Sequence, residues 1–224
     1  MLDVGCGGGR HTVEMCHWEC RAVGVDLSRD DLKLAKLLIG YEKRDLGTVG
    51  RADFAAADVE HLPFRDELFD KIVCTEVLEH IPDDKAGLRE LIRVLKPGGL
   101  IAVSVPAYLP EITMWTISWQ YWHSPGGHIR FYRPGEMLAA LRQNGLDVYA
   151  QRRRHSLQTF YWFVRCAFGI RNQNFLVRFV ERVIKLIYWR RLRTVEYLEA
   201  LTNPFMGKDL VFYARKPDGP AEGS

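Results

Sequence analysis

The chain has 224 residues, 47% of them hydrophobic and 26% charged, with a net charge of only +3. That length suits one domain with an appended lobe, and with no run of eighteen apolar residues a membrane-spanning helix is not expected. The first residues lack the basic, apolar, small-residue order of a secretory leader. Five scattered cysteines (Cys6, Cys16, Cys20, Cys74, Cys166) point to reduced thiols and a cytoplasmic protein.

In chain order, the apolar run at 2–4 enters a loop with glycine at alternate positions, Gly5, Gly7 and Gly9, and a helical pattern follows over 10–19. A strand–turn–helix of this kind brings backbone very close to a ligand. A dinucleotide loop would need its third glycine at position 10, where Arg10 is too bulky for close helix–strand packing. Zinc is not expected at His11, Cys16, His17 and Cys20, because these share one short helix with no second knuckle.

The next strand, 21–26, ends in Asp26 and is followed by Leu27. A carboxylate at a strand tip here can accept both hydroxyls of a ribose. Ser28 then caps a helix over 28–39 whose first turn holds Asp30 and Asp31. A strand at 52–57 leads to Asp58 and Val59, and one at 70–75 leads through Thr75 into Glu76-Val-Leu-Glu79-His80. A helix at 84–95 stops at Pro97-Gly98-Gly99, which starts a strand at 99–105. An aromatic stretch from Ala107 to Gly127 carries Trp115, Trp119, Tyr121 and Trp122, then come a helix at 134–144 and a strand at 146–150. The last strand is placed at 209–216, and Asn203-Pro204-Phe205 before it reads as a turn. This alternation predicts a doubly wound, mostly parallel α/β sheet of seven strands.

Residues 152–205 form an insert with two expected helices; over 174–193, Phe175, Leu176, Phe179, Val180, Val183, Ile184 and Ile187 share one broad face, with Arg178, Arg182, Lys185 and Arg193 largely on the other. Between Gln151 and Arg193 lie eleven basic residues and one acid, Glu181, a net of +10 that leaves −7 for the remainder of a +3 chain. Such asymmetry speaks to partners more than to fold. Three readings stay open: a cap with solvated arginines, a lobe for an anionic or amphipathic acceptor, and a peripheral contact with anionic membrane through 152–193. Nucleic acid is not the expected partner, since no RNA-binding module accompanies the charge.

The segments Asp3-Val-Gly5-Cys-Gly7-Gly-Gly9, Asp26, Asp58, Phe69-Asp70 to His80, and Leu91 to Ser104 resemble, in order and spacing, the motifs of the class I S-adenosylmethionine (SAM)-dependent methyltransferases. The likeness covers roughly 1–150 and 209–216 and is nearest to the type 11 group that includes quinone-biosynthesis methyltransferases. It implies a Rossmann-like core over 1–150, a basic aromatic helical insert over 151–208, an antiparallel last strand over 209–216, and a disordered tail at 217–224. It also implies SAM as cofactor, held by Asp3, Gly5, Cys6, Gly7, Gly9, Asp26, Leu27, Asp58, Val59 and Thr75. Asp58 would serve the adenine side and Thr75 the methionine end. The acceptor would be a small or lipid-like molecule methylated at oxygen or carbon. His128, in Gly127-His-Ile-Arg130, is the candidate base for an acceptor hydroxyl.

The metal question stays open. In some relatives a sequence matching Glu76-x-x-Glu79-His80 binds a divalent ion beside the acceptor oxygen; the different-class alternative is a non-catalytic SAM-binding module. Met1 stands where such strands often carry valine, and the family normally supplies a helix and more strand before it. The expectation is that coding sequence continues upstream.

Overall fold

A computed structural model describes residues 1–18, 20–45, 50–123, 126–133, 135–170, 174–190 and 193–219. The elements run β1 (Leu2–Val4), α1 (Arg10–His17), β2 (Arg21–Asp26), α2 (Arg29–Asp45), β3 (Arg51–Ala56), β4 (Phe69–Thr75), α3 (Asp84–Val94) and β5 (Leu95–Pro106). They continue with α4 (Tyr108–Ile117), α5 (Trp119–Trp122), α6 (Glu136–Gln143), β6 (Asp147–Arg154), α7 (Ser156–Phe168), α8 (Phe175–Arg190), α9 (Arg193–Met206) and β7 (Asp209–Arg215). One seven-stranded sheet has the order β3-β2-β1-β4-β5-β7-β6. Its first five strands pair in parallel. The last strand is antiparallel: Lys216 N–H donates to Gly99 O, and Ala107 N–H donates to Lys208 O, so partners advance in opposite directions.

The chain divides into two compact units, 1–104 with 138–150 and 212–224, and 105–137 with 151–211. In the first, β1 is buried at every residue, as a central strand covered on both faces must be. Leu2, Ile72, Leu78, Leu91, Leu95 and Ile101 are almost wholly excluded from water, each contributing about 1.5–3 kcal/mol of burial. A satellite cluster of Val13, Met15, Cys16, Ala22 and Ile39 seats α1 and α2 beside β2.

Several expectations need correction. The strand after α3 begins at Leu95, before Pro97-Gly98-Gly99: Leu95 is already extended (φ −80, ψ 131) and pairs with Phe69, and a register shift between Phe69 and Lys71 absorbs the glycines. Gly98, at φ +70, donates its N–H to Lys216 O. β6 continues to Arg154, so the three arginines 152–154 belong to a strand. Three helices, not two, lie between the last two strands, because Gly169 at φ +88 breaks the apolar run after α7. Asn203-Pro204-Phe205 is the last turn of α9, not a loop. There the Asn203 amide oxygen accepts from Ser156 N–H at 3.0 Å, and its carbonyl accepts from Gly207 N–H at 2.9 Å. α2 also runs on to Asp45, beyond the expected end. The expected tail residues 220–224, the helix residues Glu19 and Pro134, and the basic residues Arg171 and Arg191 lie outside the described residues.

Candidate functional site

The site begins where β1 and β2 end. Gly5 and Gly9 sit at φ +68 and +83, where an L side chain is strained. A Cβ on Gly5 would lie 2.2 Å from Val77 Cγ2, and one on Gly9 2.7 Å from Ala35 Cβ. Glycine is therefore demanded twice over, by backbone conformation and by space. Cys6 N–H donates to Val25 O at 2.9 Å, and Gly9 carbonyl receives the first helical bond of α1 from Val13. The loop is tied to the neighbouring strand tip through Asp26. One carboxylate oxygen accepts from Gly7 N–H at 2.8 Å, the other from Ser28 N–H at 2.8 Å. Ser28 caps α2 as expected, its hydroxyl accepting from Asp31 N–H.

The carboxyl ends of these strands open onto a cleft of about 260 Å³ lined by Gly5, Asp26, Leu27, Val59, Glu76, His80 and their neighbours. Such a crevice beyond the strand ends is where open α/β sheets bind ligands. Of the ten residues expected to hold a cofactor, Gly5, Asp26, Leu27 and Val59 line it directly. Gly7 joins it through Asp26. Asp3, Cys6, Gly9, Asp58 and Thr75 do not line it. Asp58 turns its carboxylate back to accept from Glu60 N–H at 2.9 Å, and Thr75 ends β4 opposite Ser104. Ala57, Val77 and Ile81 also line the cleft; nothing in their sequence marked them, since apolar walls carry no motif.

Asp3 lies beneath the loop, 1% exposed. Thr12 donates its hydroxyl to one carboxylate oxygen at 2.6 Å, while the other has no hydrogen-bond partner among the described residues. Burial pushes its pKa up, against the lowering effect of the Thr12 bond. Cys6 is likewise pushed up to about 12 by burial, then by Asp3 and Asp26, so its thiol stays protonated and inert.

On the far side of the cleft Glu76 holds a positive φ of 54, a conformation that costs about 1–2 kcal/mol for a non-glycine residue. It is fixed by Ser104, whose hydroxyl donates to the Glu76 carboxylate at 2.9 Å and whose carbonyl accepts its N–H at 3.1 Å. Glu79 is fully buried and 3.9 Å from the His80 ring nitrogen. Glu76, Glu79 and His80 do not bring three ligand atoms within 4.8 Å of one another, so this trio as placed is not a closed metal set.

In the second unit, His128 Nδ1 is 2.6 Å from Glu111 Oε1. Glu111 is buried and also accepts from Trp115 Nε1 at 2.8 Å and Tyr121 OH at 3.1 Å. Burial alone would raise its pKa, but the His128 bond, with the nearby His128 ring, the Lys208 ammonium and Trp115 as donor, outweighs it and holds the carboxyl below its usual range. The imidazole is thus oriented through Nδ1 by an ionised carboxylate. Sequence reasoning picked out His128 but missed Glu111, which is seventeen residues away on α4 and has no motif around it.

A seven-stranded sheet with its last strand reversed, a glycine loop after β1 and a carboxylate at the tip of β2 define a class I SAM-dependent methyltransferase. The methyltransferase domain family model matches residues 1–151, and the chain belongs to that family. It is 37% identical over 105 residues to the methyltransferase GfsG of Streptomyces halstedii, covering 46% of this chain and 36% of that one. It is 34% identical over 149 residues to the ubiquinone biosynthesis O-methyltransferase of Idiomarina loihiensis, covering 62% and 57%. The matches thus span about a third to three fifths of these relatives' lengths. Among solved structures, a SAM-dependent methyltransferase of Methanosarcina mazei superposes with a TM-score of 0.64 at 17% identity, covering 97% of this chain and 92% of that one. This last likeness shows the fold.

Proposed function

We propose that this chain methylates an oxygen of a small or lipid-like acceptor, with carbon as the second candidate atom. The observation that carries the donor side is the loop–carboxylate lock: Gly7 N–H on Asp26, at the mouth of a cleft that Gly5, Leu27 and Val59 also line. The residues fit SAM. Gly5 presents backbone where any Cβ would collide, Asp26 retains acceptor capacity beyond its two backbone bonds, and a buried Asp3 oxygen beneath the loop lacks a hydrogen-bond partner among the described residues. Oxygen is favoured because the curated relatives at this level of identity include ubiquinone biosynthesis O-methyltransferases.

When bound, SAM supplies an electrophilic methyl group on a sulfonium sulfur, displaced in line by the acceptor. The chain's task is mostly positioning, which can contribute several kcal/mol. Asp26 takes the ribose hydroxyls, and Leu27 and Val59 form apolar walls. Asp3 favours the ammonium group electrostatically through the loop. For a hydroxyl acceptor, His128 is the candidate base, and Glu111, 2.6 Å from its Nδ1, is a positioning residue.

Calorimetry with SAM and with S-adenosylhomocysteine tests the donor site, and the absence of heat with both would end this reading. Methyl transfer to a panel of phenols, catechols, lipid hydroxyls and carbon acids then tests the acceptor. Transfer to hydroxyls alone supports oxygen; binding without transfer across the panel would leave a non-catalytic module.

A further inference from the structure

We propose that the second unit docks on the surface of an anionic lipid bilayer through the outward face of α8. The broad apolar face read from the sequence is divided in the structure. Val177 is buried and Val180, Ile184 and Ile187 are half-buried, so these four turn inward. Phe175, Leu176, Phe179, Val183 and Leu186 are exposed, Phe175 at 84%. At helical spacing the five fall within about 100° of the helix circumference. Phe175 and Phe179 stack on each other, with centroids 6.2 Å apart. Arg178, Arg182 and Lys185 are also exposed and flank that stripe on one side. Glu181 is ion-paired to Lys185 at 2.6 Å, which partly neutralises that cation. An apolar stripe bordered by cations is the profile of a helix lying in the plane of a membrane interface, apolar side chains at the acyl boundary and basic heads among phosphates.

Charge complementarity selects this occupant. The segment 151–193 carries eleven basic residues against one acid. A second copy meeting the same face around a two-fold axis would set arginines against arginines. A nucleic acid would satisfy the cations and leave Leu176, Val183 and Leu186 in water. A bilayer with anionic headgroups satisfies both halves of the face. Two further features of the same unit agree. α9 exposes Tyr197, Leu201 and Phe205 at successive four-residue intervals, Phe205 at 80%. Arg152, Arg153 and Arg154 line a cavity of about 430 Å³ with Asn203 and Pro204, suited to a phosphate-bearing headgroup. No described helix is long and apolar enough to cross a membrane, so the contact is peripheral.

The test is sedimentation of the full chain with vesicles of phosphatidylglycerol and phosphatidylcholine, and with phosphatidylcholine alone, at low and high salt. Two variants accompany it, Phe179→Ser with Leu186→Ser, and Arg178→Gln with Arg182→Gln. Each is checked for unchanged circular dichroism and unchanged SAM binding. The expected result is binding to anionic vesicles only, weakened by salt, and weakened about 25-fold when the two arginines are removed, roughly fivefold each. The apolar pair should lose at least about tenfold. Absence of binding to anionic vesicles at low salt overturns the proposal. So does binding that neither variant weakens, equal binding to neutral vesicles, or light scattering that shows the wild type as a dimer which Phe179→Ser with Leu186→Ser converts to a monomer.

Discussion

The two units solve the same problem in opposite ways. In the first, the large aliphatic side chains around β1, β4 and α3 are withdrawn from water, and the polar loop residues bond each other across short distances. In the second, phenylalanines and leucines of α8 stand in solvent beside arginines and those of α9 are exposed too, while Glu111 is buried and bonded to a half-buried His128. The second leaves surface whose partner is external, because an exposed stripe of this size stabilises nothing within the monomer. One unit is written for a fixed ligand and the other for an acceptor or a surface.

That contrast can be broken at the glycine loop, where the largest effect is expected. Gly5→Ala puts a methyl group 2.2 Å from Val77 Cγ2 at a positive φ. It should cost about 1–3 kcal/mol of stability and weaken SAM binding at least ~100-fold, both measurable by calorimetry. Should SAM bind normally, the cleft is not where the donor sits. Next comes the second unit's Glu111–His128 pair. His128→Ala should lower kcat about 10²–10⁴-fold for a hydroxyl acceptor while SAM affinity stays within about threefold. Unaltered turnover would mean that this unit supplies no base.

Glu111→Gln sharpens the same point through pH. The Glu111 carboxyl titrates below its unfolded value of 4.5, so its pairing contributes stability that is present above that value and lost as pH falls through the folded pKa. The variant should melt at lower temperature than wild type at pH 7, and the gap should close below about pH 4.5; a gap independent of pH would refute the ion pair. Asp3→Asn should act in the opposite direction. Burial raises the Asp3 pKa, so its ionised form opposes folding as pH rises through the folded pKa. Removing the charge is expected to raise Tm by about 2 °C without ligand at pH 7, yet weaken SAM binding about tenfold. The smallest effect belongs to Phe205→Ser: with 80% of the side chain in water, Tm should shift by no more than about 1 °C and SAM affinity by less than twofold.

Much of the first unit was legible in the residues themselves. β1, β2 and the glycine loop were placed almost to the residue, because strand tips, positive-φ glycines and helix caps are specified by neighbours within a few positions. Asp26 was legible for the same reason: a carboxylate at the end of an apolar strand has few local roles. Pro97-Gly98-Gly99 misled, since its turn chemistry was overruled by the pairing of Leu95 with Phe69 and of Gly98 with Lys216. Pro204 misled likewise: Asn203 anchors the last turn of α9 to Ser156, forty-seven residues away.

The order of sequence patterns was enough to determine the doubly wound sheet, the glycine loop and the uneven charge, for these follow from periodicity and composition along the chain. Only the tertiary structure decided that Asp3 lies beneath the cleft instead of lining it, that Glu111 is the carboxylate behind His128, and that half of the apolar face of α8 stays in water. Each of those outcomes depends on which distant surface arrives to cover a side chain, and burial of that kind is a property of the packed whole, written at no single position.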